Sequence, residues 1–563
     1  MSARIGLTTL LGLLISSSFA LAQPTGPTVP AYVADQVIVA FRPGVSASAI
    51  ADAHRQAAAS PIRSMKAIGA VLVSTNRRSM SAVVASYTQN PNVRYAEPNY
   101  LRVMFIPNEG KDPAPPLGLG IDYFDEQYGL NSTGQDIYYD PNTGAPGAIT
   151  TFPDADVDAP EAWDLHQGTA LTTVAVLDSG VDCLHADLIG KCSVPSVNLG
   201  PSDTPDDIIG HGTLVASVIG ANSNNGIGVA GVSLGTTIAS VKVCYEYYDF
   251  FFGLLGLCDA AASAAGMILA ADSGYQVVNM SYAGPEASQA ETDAAAYAWS
   301  NGVVLVAAAA NSYSQTPMYP AAFPEVIGVA ATDWFGNLAG FSNFGPTVSL
   351  AAPGAKMFVA YPHAACGIDQ SDPEGCYGWA DGTSFSSPMV AGAAALVSSY
   401  IGPEATNAQV RAALEMGADT VGPLGQNMLA WTQYGSLNLL GALEASGGVT
   451  PPPPSATGLH VGNLDAVSIN NGSTWTAEVA IEVHDENHGV VDIGTVFGRW
   501  SDGTVGSCDI SAGSCQISAN FAKKTSTVTF SVTSLIVGES EYVSGANHDA
   551  EPDSDGTDIT IVK

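Results

Sequence analysis

The chain has 563 residues, 46% of them hydrophobic and only 13% charged, and its 53 acidic against 18 basic side chains give a formal charge of −35. That length holds several separately cored domains. So acidic a surface repels polyanions, which excludes nucleic acid and anionic membranes as expected partners.

In chain order, "MSARIGLTTLLGLLISSSFALA" joins one arginine to an apolar run and an Ala20-Leu21-Ala22 site, which predicts a signal peptide over residues 1–22 and an exported, extracellular protein. No later apolar run is long enough to span a membrane. Residues 23–105 contain a small α+β domain. "QVIVAFRPG" reads as a strand, "SASAIADAHRQAAA" as an amphipathic helix, "GAVLVST" as a strand, "MSAVVASYTQN" as a helix and "VRYAEPNYLRVMF" as a last strand. Residues 106–121 are Pro/Gly-rich, an exposed and cleavable linker. Ten of the 18 basic residues lie in residues 1–111 beside four acids, so a basic leader precedes an acidic body.

Over 122–446 the pattern changes. "TTVAVLD", "ASVKV", "YQVVNMSY", "GVVLVAAAA" and "VIGVAATD" are near-continuous apolar strands, buried on both faces. "TLVASVIGA", "AAASAAGMILAADSG", "TDAAAYAWSNG" and "PMVAGAAALVSSYI" are the helices between them, so the fold class is α/β with a parallel sheet flanked by helices. Pro388 is expected within the first turn of its helix, where a missing N–H costs nothing. Residues 447–458 ("TPPPPSATG" at their end) form a polyproline-type spacer, and 459–563 alternate with period two, an all-β sandwich-like domain. All eight cysteines follow residue 180 in close couples: Cys183 and Cys192, Cys244 and Cys258, Cys366 and Cys376, Cys508 and Cys515. Short-loop disulfides between neighbours in an oxidising compartment are the preferred pairing, although sequence leaves the connectivity open. The couples lack the CxxC or HxxxH companions of a zinc site.

Three polar residues break the apolar pattern at element ends. Asp178 ends a strand, His211 opens a helix between glycines, and Ser384 opens another behind Gly382-Thr383. Singly they read as a turn former, a helix-start histidine and an N-cap. Together they are the acid, base and hydroxyl of nucleophilic catalysis, in which histidine takes the serine proton and the carboxylate holds the histidine.

"VLDSGVDCLHADL", "GHGTLVASVIGANSNNGIGVAG", "VVNMSYAGP", "VVLVAAAAN" and "DGTSFSSPMVAGAAAL" resemble the signature blocks of the subtilisin-like serine proteases, in the order Asp…His…Ser. An α/β-hydrolase would run Ser…Asp/Glu…His. The resemblance implies a subtilisin-like catalytic domain, with Ser384 as nucleophile, His211 as base then acid, Asp178 as its orienting carboxylate and Asn311 as an oxyanion donor beside the Ser384 N–H. It also implies that Ser281, Tyr282, Ala283 and Gly284 pair with extended substrate. Ala308, Ala309 and Ala310 would wall the pocket before the cut bond, with Met318 near its floor. Ala283 and Ala310 stand where the family usually has glycine, which narrows that pocket. "VCYEYYDFFFGLLGLCD" (243–259) is longer and greasier than usual, either a disulfide-pinned loop or an apolar lip over the upstream subsites.

Structural calcium is implied at "SNNGIGV", held by the Asn225 side chain, the Ser223, Ile227 and Val229 carbonyls and the Asp187 carboxylate. Residues 23–105 resemble the family's inhibitory propeptide, whose last strand lies in the groove, with maturation between 105 and 122. The C-terminal domain resembles β-sandwich tails of secreted bacterial enzymes. The expectation is a monomeric, secreted, broadly specific serine endopeptidase made as a self-processed zymogen, with protein and peptide substrates and its own propeptide as partners.

Overall fold

The computed structural model describes residues 30–104, 123–138, 148–249 apart from 193, 253–366, 376–447, 460–484, 491, 493–536 apart from 503 and 512, and 557–563. The signal sequence, the cleavable linker and the proline-rich spacer lie outside the described residues.

The leader domain is built from β1 (Tyr32–Phe41), α1 (Ala47–Ala57), β2 (Ser60–Met65), β3 (Ala70–Ser74), α2 (Met80–Thr88) and β4 (Val93–Met104). Ser46 starts α1 by accepting the Ala49 N–H at 3.3 Å. Period two in β1 decides what each face buries. Val37, Val39 and Phe41 pack with Ala53 and Ala57 of α1 and Val83 and Tyr87 of α2. Ile38 and Ala40 join the opposite cluster, which also holds alanines of the body's helices.

The body continues with β5 (Asp136–Tyr138), β6 (Ala148–Thr150), α3 (Ala159–Leu165), β7 (Thr173–Asp178), β8 (Val197–Asn198) and α4 (His211–Gly220). Next come β9 (Thr237–Lys242), β10 (Cys244–Asp249), β11 (Gly253–Asp259), α5 (Ala260–Asp272), β12 (Val277–Met280), α6 (Gln289–Ser300), β13 (Val304–Ala308) and β14 (Val326–Thr332). It closes with β15 (Leu350–Pro353), β16 (Met357–Tyr361), α7 (His363–Cys366), β17 (Cys376–Ala380), α8 (Thr383–Ile401), α9 (Asn407–Met416), β18 (Gly435–Ser436) and α10 (Leu439–Ala445). Eight strands form one parallel sheet in the order β18-β15-β14-β13-β12-β7-β9-β8. Its strands are apolar on both faces because both are covered. Val174 and Val176 of β7 pack toward α4 and α8, and Ala175 and Leu177 toward α5 and α6. The carboxyl ends of β7, β12 and β13 therefore open on one edge, where α/β sheets carry their sites.

Three features escape the sequence reading. β10 and β11 pair antiparallel, and so do β16 and β17. β11 also pairs with β4, so one sheet, β10-β11-β4-β1-β3-β2, runs from the body into the leader. Pro388 is not in the first turn: α8 begins at Thr383, which places Pro388 inside the helix. The backbone bond it cannot donate would have gone to the Ser384 carbonyl. That carbonyl instead accepts the Ser281 hydroxyl at 2.9 Å.

Residues 449–563 form a separate compact unit. It comprises β19 (His460–Asn470), β20 (Thr474–His484), β21 (Ile493–Trp500), β22 (Val505–Ser511), β23 (Ser514–Ala522), β24 (Thr527–Ile536) and β25 (Asp558–Val562). They are hydrogen-bonded, antiparallel throughout, in the order β19-β20-β23-β22-β21-β24-β25. Alternate residues bury Trp475, Trp500, Phe521 and Phe530 in the unit's own core.

Candidate active site

Asp178, at the end of β7, is fully buried. Its carboxylate accepts the Ser179 N–H at 2.8 Å and faces His211 Nδ1 at 2.9 and 3.2 Å. His211 is the first residue of α4. The close approach of this helix to β7 requires Gly212: a Cβ there would run into the Gly180 carbonyl and sit 3.1 Å from Asp178 Cβ.

A residue that the sequence reading missed supports this corner. Buried Asp207 accepts the Gly210 N–H (2.7 Å), the Thr213 N–H (2.9 Å) and hydroxyl (2.6 Å), and the Ser179 hydroxyl (2.8 Å). It thereby caps α4 with an anion. Burial pushes its carboxyl up, against the pull of those hydrogen bonds. An aspartate a few residues ahead of a helix is the signal that could have found it.

Ser384 is the second residue of α8. Its hydroxyl donates to the Ser281 carbonyl at 3.2 Å, and buried His211 Nε2 has no hydrogen-bond partner among the described residues. The structure therefore joins Asp178 to His211, whereas Ser384 is turned onto Ser281. Asn311 is held by its own oxygen, which accepts the Thr383 N–H and hydroxyl, each at 2.9 Å. A Cβ on Gly382 would lie 3.3 Å from Asn311 Nδ2 and 3.6 Å from the Ser384 nitrogen, so only glycine leaves the space between those donors clear. A buried chain behind them ties β12 to α8: Asn279 Nδ2 donates to Ser281 Oγ (2.9 Å), and Ser387 Oγ to Asn279 Oδ1 (2.6 Å).

The leader's last strand runs past this edge. Val103 N–H donates to the Ala283 carbonyl at 2.9 Å and Ala283 N–H returns to the Val103 carbonyl at 3.2 Å. On its other side Arg102, Val103 and Met104 pair with Cys258, Leu257 and Gly256 of β11. The segment 243–259 is thus a second wall that contacts the strand with its backbone, which apolar composition alone did not reveal. Gly284 pairs with Tyr319, next to half-buried Met318. The Tyr282 hydroxyl is buried against Ser263 at 2.9 Å. Ala308, Ala309 and Ala310 are buried, and Ala310 has φ +83°, a left-handed conformation that glycine adopts more easily.

The subtilase family model matches residues 170–436, and that of the fervidolysin N-terminal prodomain matches 21–99. A thermophilic serine proteinase of Bacillus sp. (strain AK1) is 32% identical over 415 residues, 73% of this chain and 88% of that protein. The chain belongs to the subtilase family. Thermitase of Thermoactinomyces vulgaris is 35% identical over 269 residues, 48% of this chain and 88% of that protein. Fervidolysin of Fervidobacterium pennivorans is 33% identical over 371 residues, 62% of this chain and 50% of that one. The crystal structure of fervidolysin, titled a keratinolytic enzyme related to subtilisin, shares the fold with a TM-score of 0.57 at 22% identity, covering 94% of this chain and 76% of that one. This subtilase is accordingly a serine endopeptidase that carries a prodomain.

Elsewhere in the subtilase, residues 223–229 gather around buried Asp187. Its carboxylate accepts Asn225 Nδ2 at 2.9 Å and the Val229 N–H at 2.8 Å, and Asn225 Oδ1 accepts the Ile227 N–H at 3.3 Å. The Ser223 hydroxyl donates to the Ala221 carbonyl. Burial and the neighbouring Asp187 charge push the Tyr377 phenol up. The carboxylate, amide and carbonyl oxygens gathered here are of the chemical type that a hard cation takes. Disulfides join Cys183 to Cys192, Cys244 to Cys258 and Cys508 to Cys515. Cys376 is also disulfide-bonded, and the Cys366 side chain lies outside the described residues. Among the described residues no helix is long and apolar enough to cross a membrane.

Proposed function

We propose that Ser384, His211 and Asp178 carry peptide-bond hydrolysis and that Asn311 stabilises its oxyanion. The observation that carries the reading is the leader strand paired to Ala283 at the edge where Asp178 and His211 meet. A substrate would lie there as an added strand. For catalysis the Ser384 hydroxyl would leave the Ser281 carbonyl and donate to His211 Nε2. It then attacks the carbonyl carbon as His211 takes its proton and Asp178 stabilises the imidazolium. The oxyanion is held by the Ser384 N–H and Asn311 Nδ2. His211 returns the proton to the leaving amine, and water repeats the cycle on the acyl-enzyme.

The domain limits, export through residues 1–22, maturation between 105 and 122, a monomeric state and broad specificity belong to the same proposal. Ser281, Tyr282, Ala283 and Gly284 would bind substrate backbone, with Ala308, Ala309, Ala310 and Met318 around the side chain before the cut bond. Calcium would be held by Asp187, the Asn225 side chain and the Ser223, Ile227 and Val229 carbonyls, cross-linking that loop to the body. Chelation, or Asp187→Asn, should then lower the unfolding temperature without changing the bond cut; an unaltered melting curve would remove calcium from the account.

The test is to express the precursor beside Ser384→Ala and follow chain length and casein hydrolysis. Wild type should lose its leader and digest casein, while Ser384→Ala stays full length and inert. If both remain uncut and inactive, the reading fails.

A further inference from the structure

The leader strand brings a charge into the groove wall. Arg102 stands one residue before Val103, the residue paired with Ala283, and its side chain is fully buried. Its guanidinium forms an ion pair with Glu291 of α6, itself fully buried, and donates to the Glu286 carbonyl at 2.8 Å. The side chain packs close to Gly284, where an added Cβ would come within 3.0 Å of Arg102 Cδ and 3.1 Å of Nη1. The socket is thus made by Gly284, the Glu286 carbonyl and the Glu291 carboxylate. All of them belong to the body and stay when the leader goes.

Glu291 looks ordinary in the sequence. Ser288 and Glu291 match the S-x-x-E pattern in which a glutamate folds back to cap its own helix. Ser288 does accept the Glu291 N–H at 3.3 Å. The glutamate side chain, however, is engaged with Arg102, and the start of α6 is capped from outside. Glu97 of the leader accepts the Ser288 hydroxyl (2.9 Å), the Gln289 N–H (2.9 Å) and the Ala290 N–H (3.0 Å). Burial pushes the Glu291 carboxyl up, and the adjacent Arg102 charge pulls it back. A buried carboxylate is retained at small cost only where a cation meets it.

Building on the proposed site, we infer that Glu291 is a specificity-determining residue of the protease, and that substrates are selected for arginine at the position that Arg102 occupies, the residue preceding the one paired with Ala283. A substrate strand in the same register puts its side chain into the same socket. Arginine there restores the ion pair and the bond to the Glu286 carbonyl, whereas leucine supplies a donor to neither. A site built around a hydrogen-bonding partner discriminates strongly against a substrate that lacks it.

The test uses the matured enzyme and synthetic peptides of residues 97–111, with Arg102 kept or replaced by leucine, the cut bond being read by mass spectrometry. Wild type should prefer the arginine peptide by at least about 10-fold in kcat/KM. Glu291→Leu should erase or invert that ratio, and Glu291→Gln, which keeps the shape and one acceptor, should give an intermediate value. A glutamate serving only the helix start would lower stability in these variants and leave the ratio untouched. Casein separates the failures. If wild type digests casein and cuts both peptides equally, the arginine selectivity is overturned while the protease reading stands. If casein is not digested, the protease reading itself is what has failed.

Discussion

The two faces of the parallel sheet are covered in different ways. On one, α4 and α8 start within a network supplied entirely by the body: Asp207 caps α4, and Ser281, Asn279 and Ser387 tie down α8. On the other, α5 and α6 are completed from the leader. Asn99 accepts the Ala261 N–H at 3.0 Å at the start of α5, Glu97 caps α6, and Arg94 pairs with Asp293. The helix starts that present Ser384 and His211 are held by body residues, whereas those of α5 and α6 add leader residues to body caps at Asp259 and Ser288. A basic leader on an acidic body adds long-range attraction to those polar contacts.

That contrast can be broken most sharply at Asn311. Asn311→Leu removes one of two oxyanion donors and should lower kcat by about 10²–10³ on a peptide substrate, with little change in KM. Glu97→Gln, on the leader side, should slow maturation, seen as precursor persisting on gels. The enzyme that does emerge should turn over at the wild-type rate, because Glu97 is no longer part of it. A lasting kcat defect there would mean that the leader shapes the site permanently.

Asp207→Ala probes the retained network through stability. It strands the Gly210 and Thr213 N–H groups and the Thr213 hydroxyl proton, and should cost about 3 kcal/mol in denaturant unfolding of the inactive Ser384→Ala form. The smallest expected effect is at Ala310. Relieving its φ of +83° by Ala310→Gly should stabilise the same form by about 0.5–1 kcal/mol and admit larger side chains before the cut bond.

The sheet was legible because β7, β9, β12, β13 and β14 are apolar on both faces, a pattern that few other settings produce. Asp178, His211 and Ser384 stand out in the sequence because each interrupts that pattern at the end of a strand or helix, whereas Asn311 stands out only through the resemblance to the family. What stayed hidden depends on pairs far apart in the chain. The β10–β11 pair reads as greasy loop until β4 pairs with it. Pro388 reads as a first-turn residue because nothing local says that a Ser281 hydroxyl will satisfy the carbonyl it abandons. Glu291 reads as a capping glutamate because Arg102, its partner, lies in another domain.

The account's central claim is that Ser384 is the nucleophile of a groove first filled by its own leader strand. Treating the wild-type chain with a serine-directed phosphonylating reagent and mapping the adduct by mass spectrometry tests it most directly. The account predicts one adduct, on Ser384, only in chains that have lost residues up to the linker, and none in Ser384→Ala. An adduct on another residue, or equal labelling of the uncut precursor, would contradict it.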